Sequence, residues 1–322
     1  MKSAVLYKTG GPENFVIEDR PIPFPGANQV LIKVRAFGLN RSELMTRKGL
    51  SPGVQFPRVL GIECVGEIEL DPSGEFRKGR RVAALMGEMG RQYDGSYAEY
   101  TVVPKSIVFP FESNLPWEQL GAFPEMFQTV FGSLHLGLKI ISGETLLIRG
   151  ATSSIGMLAT QLAKNAGLTV IGTTRNTTKE NLLRENGVDE IVIDDGNISE
   201  KIKAKFGEGV DKVLEMVGTS SLPDSLRCAK PGGIVCMTGM LSEQWSIPHF
   251  APMDFIPAMV LLTVYDSGQI KVNAKHFQNF LIEVESGLIR LNVSHVFPVD
   301  QIADAHRLME QNAASGKIVI VT

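Results

Sequence analysis

The sequence predicts a doubly wound parallel α/β sheet inserted into a mostly antiparallel β domain. Three observations carry this. Short β-rich runs broken by proline fill the first third, apolar strands alternate with helices from residue 145 onward, and the tail ends in helices and one more strand. The expected division is 1–119 plus 267–322 for the β domain and 120–266 for the α/β domain.

Ala4–Tyr7, Val30–Ala36, Cys64–Leu70 and Arg81–Ala84 are rich in β-formers and bounded by Gly, Pro, Asn or Asp. Prolines at 21, 23, 25, 52, 57, 72, 104 and 110 forbid long helices there, since each removes an N–H and clashes with the preceding turn. Near Pro116 the character changes, and Trp117–Ala122 and Met126–Leu136 are helical in composition. Strands are then expected at Thr145–Arg149, Thr169–Thr173, Glu190–Ile193, Lys212–Val217, Gly233–Thr238 and Met259–Val264. Helices fall between them at Ser154–Ala166, Lys179–Glu185, Ile198–Phe206 and Ser221–Ala229. Continuous β-branched strands separated by helices imply a parallel sheet covered on both faces. The tail holds helical Val272–Ser286 and Val299–Gln311 and a strand at Lys317–Val321.

The 322 residues are 43% hydrophobic and 21% charged, enough for two domains with real cores. A net charge of −3 argues against nucleic acid as the main partner, because binding a phosphate backbone needs a basic surface. Cys64, Cys228 and Cys236 form no CxxC pair, so neither a disulfide framework nor a thiolate zinc cage is expected. The N-terminus lacks the apolar core of a signal peptide, and Phe255–Tyr265 is too short to span a bilayer. The expectation is a soluble cytoplasmic protein with no membrane partner.

The stretch "RGATSSIG", Arg149 to Gly156, follows a strand and opens a helix. Gly150 permits the tight turn and Gly156 lets the helix pack close to the strand. Ser153 and Ser154 stand where serine is a favoured cap, and the N–H groups of a helix start attract an anion. The pattern predicts that Gly150, Ala151, Thr152, Ser153, Ser154, Ile155 and Gly156 hold a dinucleotide pyrophosphate. An NAD site carries an acid about 20 residues further on. Here the strand runs into Thr174, Arg175 and Asn176, with Lys179 soon after and no carboxylate at its end. Hydroxyl, guanidinium and ammonium groups suit a 2′-phosphate, so NADP(H) is expected.

Several motifs together resemble the medium-chain dehydrogenase/reductase superfamily, in its zinc-independent quinone oxidoreductase branch. They are Gly38-Leu39-Asn40, "GIECVGEI" at 61–68, "GSYAEYTVVP" at 95–104, the 150–156 turn, "AKPGGIVCMTG" at 229–239 and "GKIVIV" at 316–321. The resemblance spans nearly the whole chain. It implies a Rossmann NADP(H)-binding domain set in a GroES-like catalytic domain. It also implies that Asn40 and Thr129 lie near the nicotinamide, and that the loops at Val217 and at Gly239-Met240 line the cofactor. Gly316 and Lys317 would sit near its nicotinamide half. The family's zinc enzymes carry Cys where Asn40 stands and His where Ile62 stands, with a further Cys near Glu125. Neither replacement suits zinc, so no metal is expected. Glu63 remains, in a role orienting backbone or an arginine. Departures are Ser153 and Ser154 in place of glycines, and Met45 where many members place a tyrosine; Tyr93 is the candidate substitute donor, with Tyr97 read as structural.

The expected function is reduction of quinones or α,β-unsaturated carbonyls by hydride from NADPH, without metal. Asn40 and Ser42 are the expected catalytic groups, Ser42 matching the proton-relay hydroxyl of the zinc enzymes. Arg41 and Glu43 are expected to pair or face solvent. Met45, Phe56, Trp245, Phe250 and Met253 are candidate walls of an apolar pocket. Rival readings are a 2-enoyl thioester reductase, for which no basic-rimmed channel is evident, and a crystallin-like protein that binds NADPH without turnover. A homodimer is expected, with Met259–Val264 pairing with its copy across a two-fold.

Overall fold

The computed structural model describes residues 1–269 and 272–322, and the chain divides into two compact units, 1–127 with 272–322 and 128–271. The first unit begins with β1 (Lys2–Leu6), β2 (Phe15–Asp19), β3 (Gln29–Gly38), β4 (Arg58–Val59), β5 (Glu63–Leu70), β6 (Arg81–Leu85), β7 (Tyr100–Pro104) and β8 (Val108–Pro110). β1 pairs antiparallel with β2 and β4. The short helix α1 (Arg41–Arg47) follows β3 directly. Helix α2 (Pro124–Phe131) contains the division between the units. Residues 120–127 thus belong with the β unit rather than the α/β unit expected to begin at 120. The reason is aromatic packing: Phe123 meets Phe277 edge-on at 5.9 Å, and Phe127 stacks on Phe280 at 4.3 Å.

The second unit is a six-stranded parallel sheet of β9 (Thr145–Arg149), β10 (Thr169–Thr174), β11 (Glu190–Ile193), β12 (Val210–Glu215), β13 (Ala229–Met237) and β14 (Leu261–Val264). Helix α3 (Ser154–Asn165) follows β9 and helix α4 (Leu222–Cys228) follows β12. The strand order is β11-β10-β9-β12-β13-β14, so the chain winds outward in opposite directions from the β9/β12 pair. In such sheets ligands bind beyond the carboxyl ends of the strands at that switch point. Leu147 lies opposite Ile171 on one side and Val213 on the other, and all three are fully buried in one cluster with Ile198, Ile202 and Leu226. Such burial on both faces is why these strands read as unbroken apolar runs. β14 is an edge strand with Leu261 and Val264 exposed.

The chain then returns to the first unit through α5 (Ala274–Glu285), capped by the Asn273 side chain on His276 N–H at 3.1 Å. β15 (Val293–Pro298), α6 (Ile302–Glu310) and β16 (Lys317–Val321) complete it. The sheet order is β15-β16-β3-β5-β6-β8, with β7 also on β3; only β15 and β16 are parallel. All three cysteines are buried, and burial pushes their thiols up, that of Cys228 to about 12.

Candidate functional site

The turn between β9 and α3 is built as the glycine pattern requires. Gly150 has φ +92°, a conformation open chiefly to glycine. A Cβ on Gly156 would lie 2.6 Å from Ala151 Cα, so only glycine allows this approach of helix to strand. Ser153 Oγ accepts from Gly156 N at 3.1 Å and donates to Gly150 O at 2.9 Å, which makes it a helix cap with both functions engaged. Gly150 N and Ala151 N bond Thr173 Oγ1 and Thr173 O, tying the turn to β10. The donors left for a phosphate are therefore the first-turn amides of Ser154 and Ile155, together with Thr152.

A buried charge network lies under this turn, and its partners are too far apart in sequence to be read there. The Arg149 guanidinium, fully buried, bonds Asp194 through Nε at 2.8 Å and Nη2 at 2.9 Å. Its Nη1 reaches Asp224 Oδ2 at 2.8 Å, Ser225 Oγ at 3.1 Å and Ser221 O at 3.2 Å. Burial opposes ionisation of Asp224, but the amides of Ile198 and Ser199 and the Arg149 charge outweigh it and hold the carboxyl below its ordinary range. Buried Glu215 accepts from Val217 N at 2.6 Å and Gly218 N at 3.0 Å, fixing the loop after β12, and burial pushes its carboxyl up. Gly239 approaches so closely that a Cβ would sit 2.4 Å from Met216 O, and Met240 lies against Gly218. The turn and the loops at Val217 and Gly239-Met240 thus converge at the switch point.

At the end of β10, Thr174 Oγ1 bonds Asn176 backbone N and O, both at 3.1 Å. Its hydroxyl shapes the turn and is buried rather than offered to a ligand. Arg175 is exposed and Lys179 half-buried, and neither forms an ion pair among the described residues. Thr129 is buried, and its carbonyl accepts from Ser133 Oγ at 2.7 Å.

The first unit gathers a second polar cluster around the start of α1. Fully buried Glu63 takes the Lys317 ammonium on Oε1 at 2.9 Å, the Asn40 amide on the same oxygen at 2.9 Å, and Glu125 N on Oε2 at 2.7 Å. The cation is a lysine rather than the arginine expected, and the backbone role is present. Lys317 Nζ also meets Asn40 Oδ1 at 2.5 Å. Burial opposes its charge, yet Glu63, Glu125 and Glu43 together raise its pKa. Gly316 precedes it with φ +147°, and a Cβ there would strike Asn292 O. Asn40 keeps one Nδ2 hydrogen that meets only long contacts, to Gly38 O at 3.4 Å and Glu43 at 3.5 Å.

Two expectations about α1 need correction. Glu43 neither faces solvent nor pairs with Arg41, which bonds Asn312 instead. Residues 43–47 are all buried, covered on every side of the helix after its first turn, so Glu43 lies beside Ile62 N at 3.1 Å, with Oε2 lacking any partner. Burial, with the Glu63 charge adding to it, pushes its carboxyl up to about 7. The apolar wall is corrected in part as well: Met45 is buried and Phe56 packs on the first unit's core, while Trp245, Phe250 and Met253 lie exposed on a surface segment. Tyr93 donates to Gly87 O at 3.0 Å and Tyr97 pairs with buried His306 at 3.0 Å, so both phenols are structural. Ser42 Oγ accepts from Arg91 Nη2 at 2.6 Å, a contact the sequence did not suggest.

A doubly wound sheet with a glycine turn at its switch point, inserted in an antiparallel β unit, defines a two-domain dehydrogenase or reductase. Residues 26–113 match the family described as "Alcohol dehydrogenase GroES-like domain" and residues 154–275 that described as "Zinc-binding dehydrogenase". The chain belongs to the medium-chain dehydrogenase/reductase superfamily of oxidoreductases. It is 27% identical to human quinone oxidoreductase, over 100% of this chain and 98% of that protein. An NAD-dependent alcohol dehydrogenase structure is 26% identical with a TM-score of 0.85, covering 100% of both chains. Escherichia coli quinone oxidoreductase complexed with NADPH has the same fold, with a TM-score of 0.90 at 21% identity and 100% of both chains covered.

The zinc implied by one family description does not fit these donors. Asn40 and Ile62 are not zinc ligands, and the Glu63 carboxylate already holds an ammonium ion. Among the described residues no helix is long and apolar enough to cross a membrane.

Proposed function

We propose that the chain is an NADPH-dependent reductase of quinones or α,β-unsaturated carbonyl compounds that works without metal. The observation carrying this reading is the donor set at the start of α1, the Asn40 amide where the zinc enzymes hold a cysteine ligand and the Ser42 hydroxyl beside it. A bound reduced nicotinamide supplies the hydride. Conjugated acceptors suit such weak donors, because their electrons delocalise onto an oxygen that hydrogen bonds alone can steady. Glu63 and Lys317 orient Asn40 by holding both ends of its amide, leaving one N–H for a substrate oxygen. The fit to a dinucleotide rests on the glycine turn and the first-turn amides of α3. The relatives' names include both NAD and NADPH, so the choice falls to the end of β10. Exposed Arg175 and half-buried Lys179, with no carboxylate between them, favour a 2′-phosphate.

Oxidation of NADPH in the presence of 1,2-naphthoquinone or an alkenal tests the activity. Turnover is expected with at least one; tight NADPH binding without turnover on either would leave a binding protein of the crystallin type. Arg175→Ala should lower the NADPH-to-NADH affinity ratio about tenfold, the value of one exposed charge-assisted hydrogen bond. An unchanged ratio removes the argument for NADPH.

A second copy of the chain is the proposed partner. β14 presents unpaired backbone groups at the sheet edge, next to exposed Met259, Leu261 and Val264. Sedimentation should give the mass of two chains, and a monomer at micromolar concentration would refute the pairing.

A further inference from the structure

We propose that Arg91 is a positioning residue for the reduction, fixing the Ser42 hydroxyl as the proton donor to the substrate oxygen. This deepens the reductase reading above and rests on it.

Three observations of the first unit carry the assignment. The contact is directional: a guanidinium has only donors, so at 2.6 Å Arg91 Nη2 must donate and Ser42 Oγ must accept. The hydroxyl proton is thereby left to point elsewhere. Second, the guanidinium has no carboxylate partner among the described residues, and its Nε is buried without an acceptor. Arg47 and Arg58 of this unit, whose Nε likewise lack an acceptor, are each paired with a carboxylate, Arg47 with Glu310 at 2.7 Å and Arg58 with Asp94 at 3.1 Å. Among the described residues the half-buried Arg91 guanidinium therefore meets no carboxylate, and Ser42 Oγ is the side-chain acceptor it reaches.

Third, the loop presenting Arg91 is held in a costly conformation. Met86 and Glu88 have φ of +61° and +67°, and Gly87 and Gly90 are also positive. Left-handed non-glycine residues cost about 1–3 kcal/mol each and persist only where the surroundings over-determine them. Here Met86 N bonds Ile62 O at 2.7 Å, Gly90 N bonds Tyr93 O at 3.0 Å, and the Tyr93 hydroxyl bonds Gly87 O at 3.0 Å. The loop is thus pinned to the segment that leads into Glu63. Its effect is to aim a guanidinium with no carboxylate partner among the described residues at one hydroxyl.

Hydride adds to the β-carbon of an enone, the C=C pair becomes the enolate C=C, and the carbonyl π pair moves onto oxygen. The substrate gains two electrons, which the reduced nicotinamide loses. The oxygen takes the Ser42 proton, Arg91 stabilises the resulting alkoxide, and solvent returns a proton to Ser42. The enol then tautomerises to the saturated carbonyl.

The test compares Arg91→Met, Arg91→Lys, Ser42→Ala and the Arg91→Met/Ser42→Ala double variant. Arg91→Met should lower kcat for an alkenal about 10- to 100-fold with KM changed little, the range for losing one oxyanion-directed donor or its support. Arg91→Lys should recover part of the loss, and the double variant should be no slower than Ser42→Ala alone. A readout independent of turnover is 4-nitrophenol, whose absorbance reports ionisation. Bound to the unaltered protein it should ionise at lower pH than when free, and Arg91→Met should abolish that shift. Multiplicative losses in the double variant, an unchanged kcat in Arg91→Met, or no depressed ionisation of nitrophenol overturns the assignment. Failure of the reductase reading itself looks different, since the unaltered protein would then reduce neither substrate.

Discussion

Arg149→Met should lower the unfolding free energy by about 3–5 kcal/mol, the usual result of removing one partner of a buried ion pair. Methionine fills similar space, so the loss comes from charge rather than from a cavity. Asp194 and Asp224, now paired at 2.8 Å, would be left as buried carboxylates facing each other across the vacated space. Asp224 would keep the amides of Ile198 and Ser199, and Asp194 that of Gly196. Asp224 would keep only the exposed Arg227 guanidinium, 3.7 Å away, and Asp194 would keep no cation among the described residues. The two tryptophans make the measurement specific, since Trp117 lies in the first unit and Trp245 in the second. Urea unfolding followed by Trp245 fluorescence in a Trp117→Phe background should show the drop. Adding Asp224→Asn to Arg149→Met should recover part of it, because an amide leaves no net charge behind. A loss under about 1 kcal/mol would mean that water reaches the network and screens it.

Glu43→Gln should change how stability depends on pH. The Glu43 carboxyl is raised from 4.5 to about 7, first by burial and then by the Glu63 charge, with the Ile62 amide and Lys317 acting the other way. Tyr97 is the other titratable group that feels its charge. A raised carboxyl binds its proton more tightly in the folded state. The stability it gives is fully present below pH 4.5 and is lost as pH rises through about 7. At 1.36 kcal/mol per unit the loss is about 3 kcal/mol. His306 works in the opposite sense. Burial, helped by the Arg47 charge, pushes it down to about 3, so its stabilisation is complete above pH 6.5 and falls away on acidification. In the natural protein the two slopes oppose each other between pH 5 and 6.5, which gives a plateau. Glu43→Gln removes one of them. Relative to the unaltered protein, the variant should gain about 2–3 kcal/mol between pH 5 and pH 8 in urea titrations. A difference that stays flat across that range would show that Glu43 is ionised in the folded protein throughout.

The α/β half was the more legible part of the sequence. Thr145–Arg149 and Glu190–Ile193 fall where expected to the residue, because strands buried on both faces leave unbroken β-branched runs between helices. β2 and β15 were not foreseen. Both are half-exposed strands that mix polar and apolar residues, so neither shows a clean alternation. The glycine turn was legible because its chemistry is local. Arg149 was quoted as part of the turn, yet its partners lie 45 and 75 positions away, and no short pattern joins them. Glu43 reads as a surface acid because its neighbours Arg41 and Ser42 are polar, whereas the fold covers α1 all round from residue 43 to 47. Trp245, Phe250 and Met253 suggested a pocket by their size. Their exposure shows that residue type alone does not place a side chain.

The buried cysteines carry a meaning for a protein whose proposed substrates are themselves thiol-reactive. Quinones and enones add to thiolates, and the fraction of a thiol ionised at neutral pH sets the rate. Cys64, Cys228 and Cys236 are covered by the fold and their ionisation is suppressed. An electrophile passing through meets no ready nucleophilic sulfur on the folded chain. The three thiols serve as small apolar packing groups, and the catalyst is shielded from alkylation by the compounds it is proposed to consume.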